Sequence, residues 1–160
     1  MKKNWIDVIF LASPSYLGIV EVIFFSVTAI IGWIYSWPRM PFFPILNIIG
    51  SAVFFVAIVF HLYFEKTHKQ AHNRSDNITG IVSTGIYSKI RHPLYLTVIL
   101  MYIGVGLAFG VIYTLILSFL FDVRIIITIY REERFLINKF PHEYSKYMMN
   151  VKWRLIPHLY

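Results

Sequence analysis

The chain has no cysteine, so neither a disulfide framework nor a thiolate metal site is open to it. Charge is scarce as well: 14% of the 160 residues are charged against 58% hydrophobic, and the mean hydropathy is +0.63. That balance excludes an ordinary soluble domain and implies an integral membrane protein. Acids are the scarcer sign, 8 against 15 bases, for a net charge of +7. Such an excess suits nucleic acid in a soluble protein, but here the bases flank apolar blocks, where anionic lipid of the inner leaflet is the better partner. No Walker loop, internal repeat or low-complexity segment is present. A cleavable signal peptide is not expected, because the run after Lys2 and Lys3 is short, contains Asp7 and leads into Ser13-Pro14.

The apolar blocks are long. A hydrocarbon core of about 30 Å needs roughly 20 apolar residues as a helix, and residues 16–37 and 43–64 meet that length, with Trp5 to Ala12 as an interfacial lead-in. Pro38, Pro41 and Pro44 punctuate the turn between them, since proline suits a helix start and not its interior. Residues 94–130 would make a helix of about 55 Å, too long for one crossing. Gly104, Gly106 and Gly110 mark its middle, so a hairpin turning near residues 108–110 is expected. The GVG triplet of Gly104 to Gly106 follows no strand and is not a dinucleotide loop; its glycines serve helix contact or the turn.

The expected fold is therefore all-α, a single membrane domain over residues 1–160 with about four transmembrane helices at 16–37, 43–64, 93–108 and 111–130. Arg39 alone sits in the first turn, whereas Lys66, Lys69, Arg74, Lys89 and Arg91 fill the central loop and six more bases fill the tail. The positive-inside rule puts both termini, loop 65–92 and tail 131–160 on the cytoplasmic side. In the tail, Glu132, Glu133, Leu136, Phe140, Tyr144 and Tyr147 recur mostly at spacings of three and four, interrupted at Pro141, which predicts two short amphipathic helices.

Several side chains carry chemistry. His68 and His72 form an i, i+4 pair, but nothing in the sequence completes a ligand set, so a solvated or headgroup-facing surface is expected and no metal. Glu21, Asp122 and Arg124 fall inside apolar spans, where charges face a bundle interior or one another. Arg124 is near enough to the cytoplasmic end to snorkel, and Asp122 is expected to pair with a neighbouring span. The strongest pair of segments is GIYSKIRHPLYLT and YREERFLINKFPHEYSKYMMNVKWRLIPHLY. The hairpin brings both to one side of the membrane, where they can meet as an aromatic and basic anchor or as a site.

The second possibility is favoured by a resemblance. The stretch TGIVSTGIYSKIRHPLY, then a hairpin, then EERFLINKFPHEYSKY and RLIP is similar to the pattern of the isoprenylcysteine carboxyl methyltransferases and the related phospholipid methyltransferases. It covers about residues 79–157. The resemblance implies S-adenosylmethionine (SAM) held without a Rossmann domain, in a pocket formed by the cytoplasmic loop and the short C-terminal helices and open sideways to lipid. Carried over by position, it makes Thr79, Ile81, Val82, Tyr87, His92, Pro93, Tyr95 and Glu132 cofactor contacts, with Ile81 and Val82 acting through their backbone. Arg91 and Glu133 become catalytic candidates. The chain departs from the pattern at Thr79, Thr97 and Pro141, where the family has His, Gly and Gly, and at Thr128, where it has an arginine assigned to the substrate. Arg124 and Arg131 are the candidates to replace that arginine.

Methyl transfer from a sulfonium is an in-line displacement favoured by a dry cavity. A carboxylate acceptor needs a cation to position it, for which Arg91, Arg124 or Arg131 could serve; an amine acceptor needs a base, for which His92 or Glu133 is nearest. Carboxyl O-methylation of an isoprenylcysteine-type acceptor is the expected activity, with phospholipid or amine N-methylation as an alternative. Two further classes stay open: a nicotinamide-dependent membrane sterol-type reductase, whose tail also ends as RLIPHLY does, and a non-enzymatic membrane scaffold. The expected partners are a lipophilic or prenylated substrate and membrane lipids.

Overall fold

The structure, a computed structural model, describes residues 14–42, 44–68 and 79–160. The lead-in 5–12, Lys2, Lys3, Lys69, His72 and Arg74 lie outside the described residues. Among the described residues there are five α-helices and no strand: α1 (Pro14–Ile34), α2 (Ile45–Thr67), α3 (Pro93–Phe109), α4 (Ile112–Lys139) and α5 (Pro141–Asn150). A 3-10 turn, Gly85–Ser88, precedes α3. Two of these, α2 and α4, are long and apolar enough to cross a membrane, while Gly18–Ile34 and Pro93–Phe109 are shorter apolar helices.

Helix α3 is the centre of the bundle, in contact with α1, α2 and α4. Close backbone approach holds its neighbours to it. Gly50 and Gly104 supply the approach between α2 and α3. A Cβ on Gly104 would lie 2.8 Å from the Phe54 nitrogen, and one on Gly50 would collide with the backbone of Leu107 and Ala108. Along the other contacts of α3, Phe25, Tyr102 and Phe121 pack ring edge to ring face, with Val98, Val105, Ile125 and Ile129 filling the space around them.

The hairpin turns at Gly110, which caps α3 in the left-handed region at φ 67°, as the glycines predict. Three side and main chains lock this end: Asn47 donates to the Ala108 carbonyl at 2.8 Å, Trp33 to the Phe109 carbonyl at 2.9 Å, and the Met40 amide to the Gly110 carbonyl at 2.8 Å. Arg39 stays in this loop, stacked 3.9 Å from the Trp33 ring centre.

The opposite end differs from the sequence expectation in two ways. Helix α2 runs on through Glu65 to Thr67, so the central loop begins at His68 and not at residue 65. Helix α4 likewise runs unbroken to Lys139, so the first of the two short tail helices is the end of α4, and only α5 is separate. The physical reason is continuity of the helical ladder: nothing between Tyr130 and Lys139 interrupts it, and Pro141, comfortable at a helix start, sets the break.

Candidate functional site

Pro93 opens α3, and the residue before a proline is driven out of the helical region; His92 sits at φ −127°, ψ 58°. That kink turns the loop so that Arg91 and His92 run alongside the tail. Their amides donate to the Trp153 and Arg154 carbonyls at 2.9 and 2.8 Å. The Arg91 guanidinium reaches further, donating through its terminal nitrogen to the Val151 and Lys152 carbonyls at 2.7 and 2.8 Å.

All of this closes on Glu133, which is 3% exposed. Its Oε1 accepts from Arg91 Nε at 2.7 Å and from His92 Nε2 at 3.2 Å, and its Oε2 accepts from Arg154 Nε at 2.9 Å. One carboxylate thus joins the loop, the end of α4 and the tail. Arg154 is held a second time by aromatic faces, 4.5 Å from the centre of Tyr130 and 5.4 Å from that of Tyr160. Nothing in the sequence reading pointed to Arg154. Its signal was the Arg of the RLIP motif, read there for its proline.

The rest of the loop is tied to α5. Tyr147 donates its hydroxyl to the Tyr87 carbonyl at 2.7 Å, and the Tyr87 ring packs edge-on against His68 at 5.0 Å. Gly85 makes that possible, with φ 62° and His68 Nε2 only 3.1 Å from where a Cβ would stand. Burial pushes the Tyr147 hydroxyl above the ordinary tyrosine range; Arg91 opposes the shift and Glu133 adds to it. Tyr87 and Tyr144 are raised in the same way, by burial first and nearby carboxylates second. All three keep their protons at neutral pH.

Glu132, next to the clamp residue, has a different setting. Its Oε2 is buried and has no hydrogen-bond partner, and its carboxylate interacts with the buried Tyr95 hydroxyl. Tyr95 in turn lies beside His92, ring centres 5.7 Å apart. His92, Pro93, Tyr95 and Glu132 are therefore one neighbourhood. Ile81 belongs to another: it lines an open cleft of about 520 Å³ with Ser83, Ser88, Lys146 and Tyr147. Val82 is half-buried nearby in sequence and Thr79 is exposed.

The arginines expected at the acceptor have different surroundings. Arg124 pairs with Glu21 of α1 at 2.6 Å, and Tyr102 of α3 donates to the same carboxylate. Two of the three charges expected inside the spans, Glu21 and Arg124, thus face one another. Asp122 does not pair as expected, for neither of its buried oxygens has a partner. Arg131 is on the exposed side of α4. Thr97, the departure from the family glycine, bonds across to α2. Its hydroxyl donates to the Leu94 carbonyl at 2.7 Å and accepts from His61 Nδ1 at 2.8 Å, an interaction the sequence gave no hint of. Among the described residues no group of three His, Asp or Glu is arranged to hold a metal.

A family profile, that of the phospholipid methyltransferases, matches residues 42–143, well over half of the chain. The chain belongs to the phospholipid methyltransferase family. The match takes in both RHPLY and EERFL, and with them the Arg91, His92 and Glu133 clamp. No curated protein matches the chain. The family is one of integral membrane methyltransferases, as the two motifs led one to expect. With the two long apolar helices it makes the chain a membrane-associated methyltransferase. It sets that reading above the reductase and the scaffold.

Proposed function

We propose that the chain transfers the methyl group of SAM to a lipophilic acceptor held in the membrane. In this reading its four apolar helices cross the bilayer, and the loop and tail meet on the cytoplasmic side. The observation that carries it is Glu132. A buried carboxylate oxygen without a partner is costly, and the ammonium of the cofactor is a group of the right charge to satisfy it. Tyr95, His92 and Pro93 would wall the same space; Ile81 and Val82, at the separate cleft, would have a part only where the cofactor extends that far. Bound there, SAM would supply a methyl group on a sulfonium, ready for displacement.

The chain's own residues favour one acceptor chemistry. A carboxylate acceptor, as in isoprenylcysteine O-methylation, needs an open cation in the site; yet Arg91 is committed to Glu133 and two carbonyls, Arg124 to Glu21, and Arg131 lies on the exposed side of α4. An amine acceptor must instead lose a proton. His92 Nε2 lies 3.2 Å from Glu133 Oε1; with its hydrogen directed there, Nδ1 would be the atom that takes the acceptor's proton, and a carboxylate behind a histidine orients the ring and supports the charge it gains. Glu133 has both oxygens taken by three donors, so it orients His92 and does not itself take the proton. We therefore favour an amine-bearing lipid over the isoprenylcysteine carboxylate.

Calorimetry of the purified protein with S-adenosylhomocysteine tests the cofactor, and methyl incorporation from labelled SAM into lipid amines and into prenylcysteine analogues tests the acceptor. Binding that is lost in Glu132→Ala with folding intact is the expected result. Absence of binding at high micromolar ligand would sink the methyltransferase reading, and labelling of the prenylcysteine alone would overturn the amine.

A further inference from the structure

The bases around the loop and tail are more numerous than the clamp needs. A cleft of about 340 Å³ lies between them, lined by Ser88, Lys89, Asn150, Lys152, Trp153 and Pro157. Lys89 of the loop and Lys152 of the tail both line it, and among the described residues no carboxylate does. The main-chain bonds from Arg91 and His92 to Trp153 and Arg154 hold the loop and the tail together beside it. Arg91 and Arg154, which join the same two segments, share the single carboxylate of Glu133. The cleft lining itself therefore carries the two lysines as its charged groups. The adjoining larger cleft does not offset this, because there Glu143 is matched by Lys146.

We propose that this cleft binds the phosphate of an anionic phospholipid, distinct from both cofactor and acceptor. The two lysines would neutralise the phosphate and the exposed Asn150 amide would donate to it. A lipid is favoured over a soluble anion by position. The loop wall ends at Pro93, where the apolar helix α3 begins, and the tail wall carries Trp153, tilted against His158 with ring centres 5.2 Å apart, an aromatic of the kind that settles at headgroup level. A polybasic segment beside an apolar helix attracts anionic lipid. The proposal rests on the membrane reading of the chain but not on its use of SAM.

The test uses the full chain in neutral detergent, with lipid binding read by native mass spectrometry and by the rise in Tm. Phosphatidylglycerol is compared with phosphatidylcholine of the same acyl chains and with soluble glycerol 1-phosphate. Phosphatidylglycerol should bind, phosphatidylcholine and glycerol 1-phosphate should not, and K89Q/K152Q should weaken binding about twentyfold, whereas K89R/K152R should keep it. Equal binding of the two lipids, equal competition by glycerol 1-phosphate, or an unchanged K89Q/K152Q would each overturn the proposal. The titration is repeated with saturating S-adenosylhomocysteine. Independent binding supports a separate lipid site; mutual exclusion assigns the lysines to the cofactor carboxylate and overturns it. If the homocysteine analogue does not bind at all, the methyltransferase reading fails while the lipid result still stands.

Discussion

Arg91 Nε and Glu133 Oε1, which belong to segments on either side of the α3–α4 hairpin, meet at 2.7 Å with both side chains buried. The pair closes the hairpin at its open end as a strap does, and Arg154 and His92 complete the charge around the carboxylate. Glu133→Ala would leave two guanidiniums facing each other without their counter-charge. Removing one partner of a buried pair costs about 3–5 kcal/mol, so thermal unfolding in detergent should shift sharply downward. Arg91→Lys should rescue little, because a lysine cannot reach the carboxylate and two carbonyls at once in a fixed fork. A Glu133→Ala protein as stable as the native one would show that the tail is held by something else.

Gly104→Leu should prevent α2 and α3 from docking. The added side chain would meet the Phe54 backbone, which cannot yield as a flexible side chain can. Overpacking of this kind costs roughly 1–3 kcal/mol or more, and the measurement is the yield of monodisperse protein after extraction. Gly80→Ala is the control, since a Cβ there meets nothing.

The His61 to Thr97 bond makes a smaller prediction. Thr97→Val keeps the shape and removes the acceptor, leaving the His61 ring nitrogen with one partner fewer in a buried place. A loss of about 1–3 kcal/mol is expected, read from the same unfolding transition. His61→Phe with Thr97→Val should recover part of it, because both polar groups are then gone.

Tyr87, Tyr144 and Tyr147 have hydroxyl pKa values raised above 10 by burial and, secondarily, by Glu132 or Glu133. Above about pH 10 the unfolded chain releases phenolic protons that the folded chain retains, so the folded state binds more protons and stability falls as pH rises. Stability should be flat in this respect below the ordinary tyrosine value and decline above it. Tyr147→Phe should shallow that decline, while costing the bond to the Tyr87 carbonyl. A decline of the same slope in the variant would remove Tyr147 from the account.

The Glu21 to Arg124 pair joins α1 to α4 in the apolar interior. Arg124→Met alone should destabilise more than Arg124→Met combined with Glu21→Gln, since the single change strands a carboxylate in the bundle. The double-mutant cycle should show a coupling well above the additive limit of about 0.5 kcal/mol.

Much of the fold could be read in the sequence because its causes are local. Apolar run length marks where α2 and α4 lie but not where they end, Gly110 marks the turn, Pro93 and Pro141 mark two helix starts, and two gapped motifs carry the family. Helix ends near Glu65 and Lys139 were misjudged because charge alone does not stop a helical ladder.

Partners were another matter. That Arg124 would find Glu21, that Thr97 would meet His61, and that Glu133 would gather Arg91, His92 and Arg154 all depend on how each helix is rotated and slid against its neighbour. Periodicity fixes which residues share a face, but it does not say what stands opposite. Close packing at Gly50 and Gly104 sets that register, and it is a property of two helices together. The sequence by itself determined a membrane protein with a methyltransferase signature; only the tertiary structure decided which charges are spent on holding the molecule together, as Glu133 is, and which, like Glu132 Oε2, are buried without a hydrogen-bond partner.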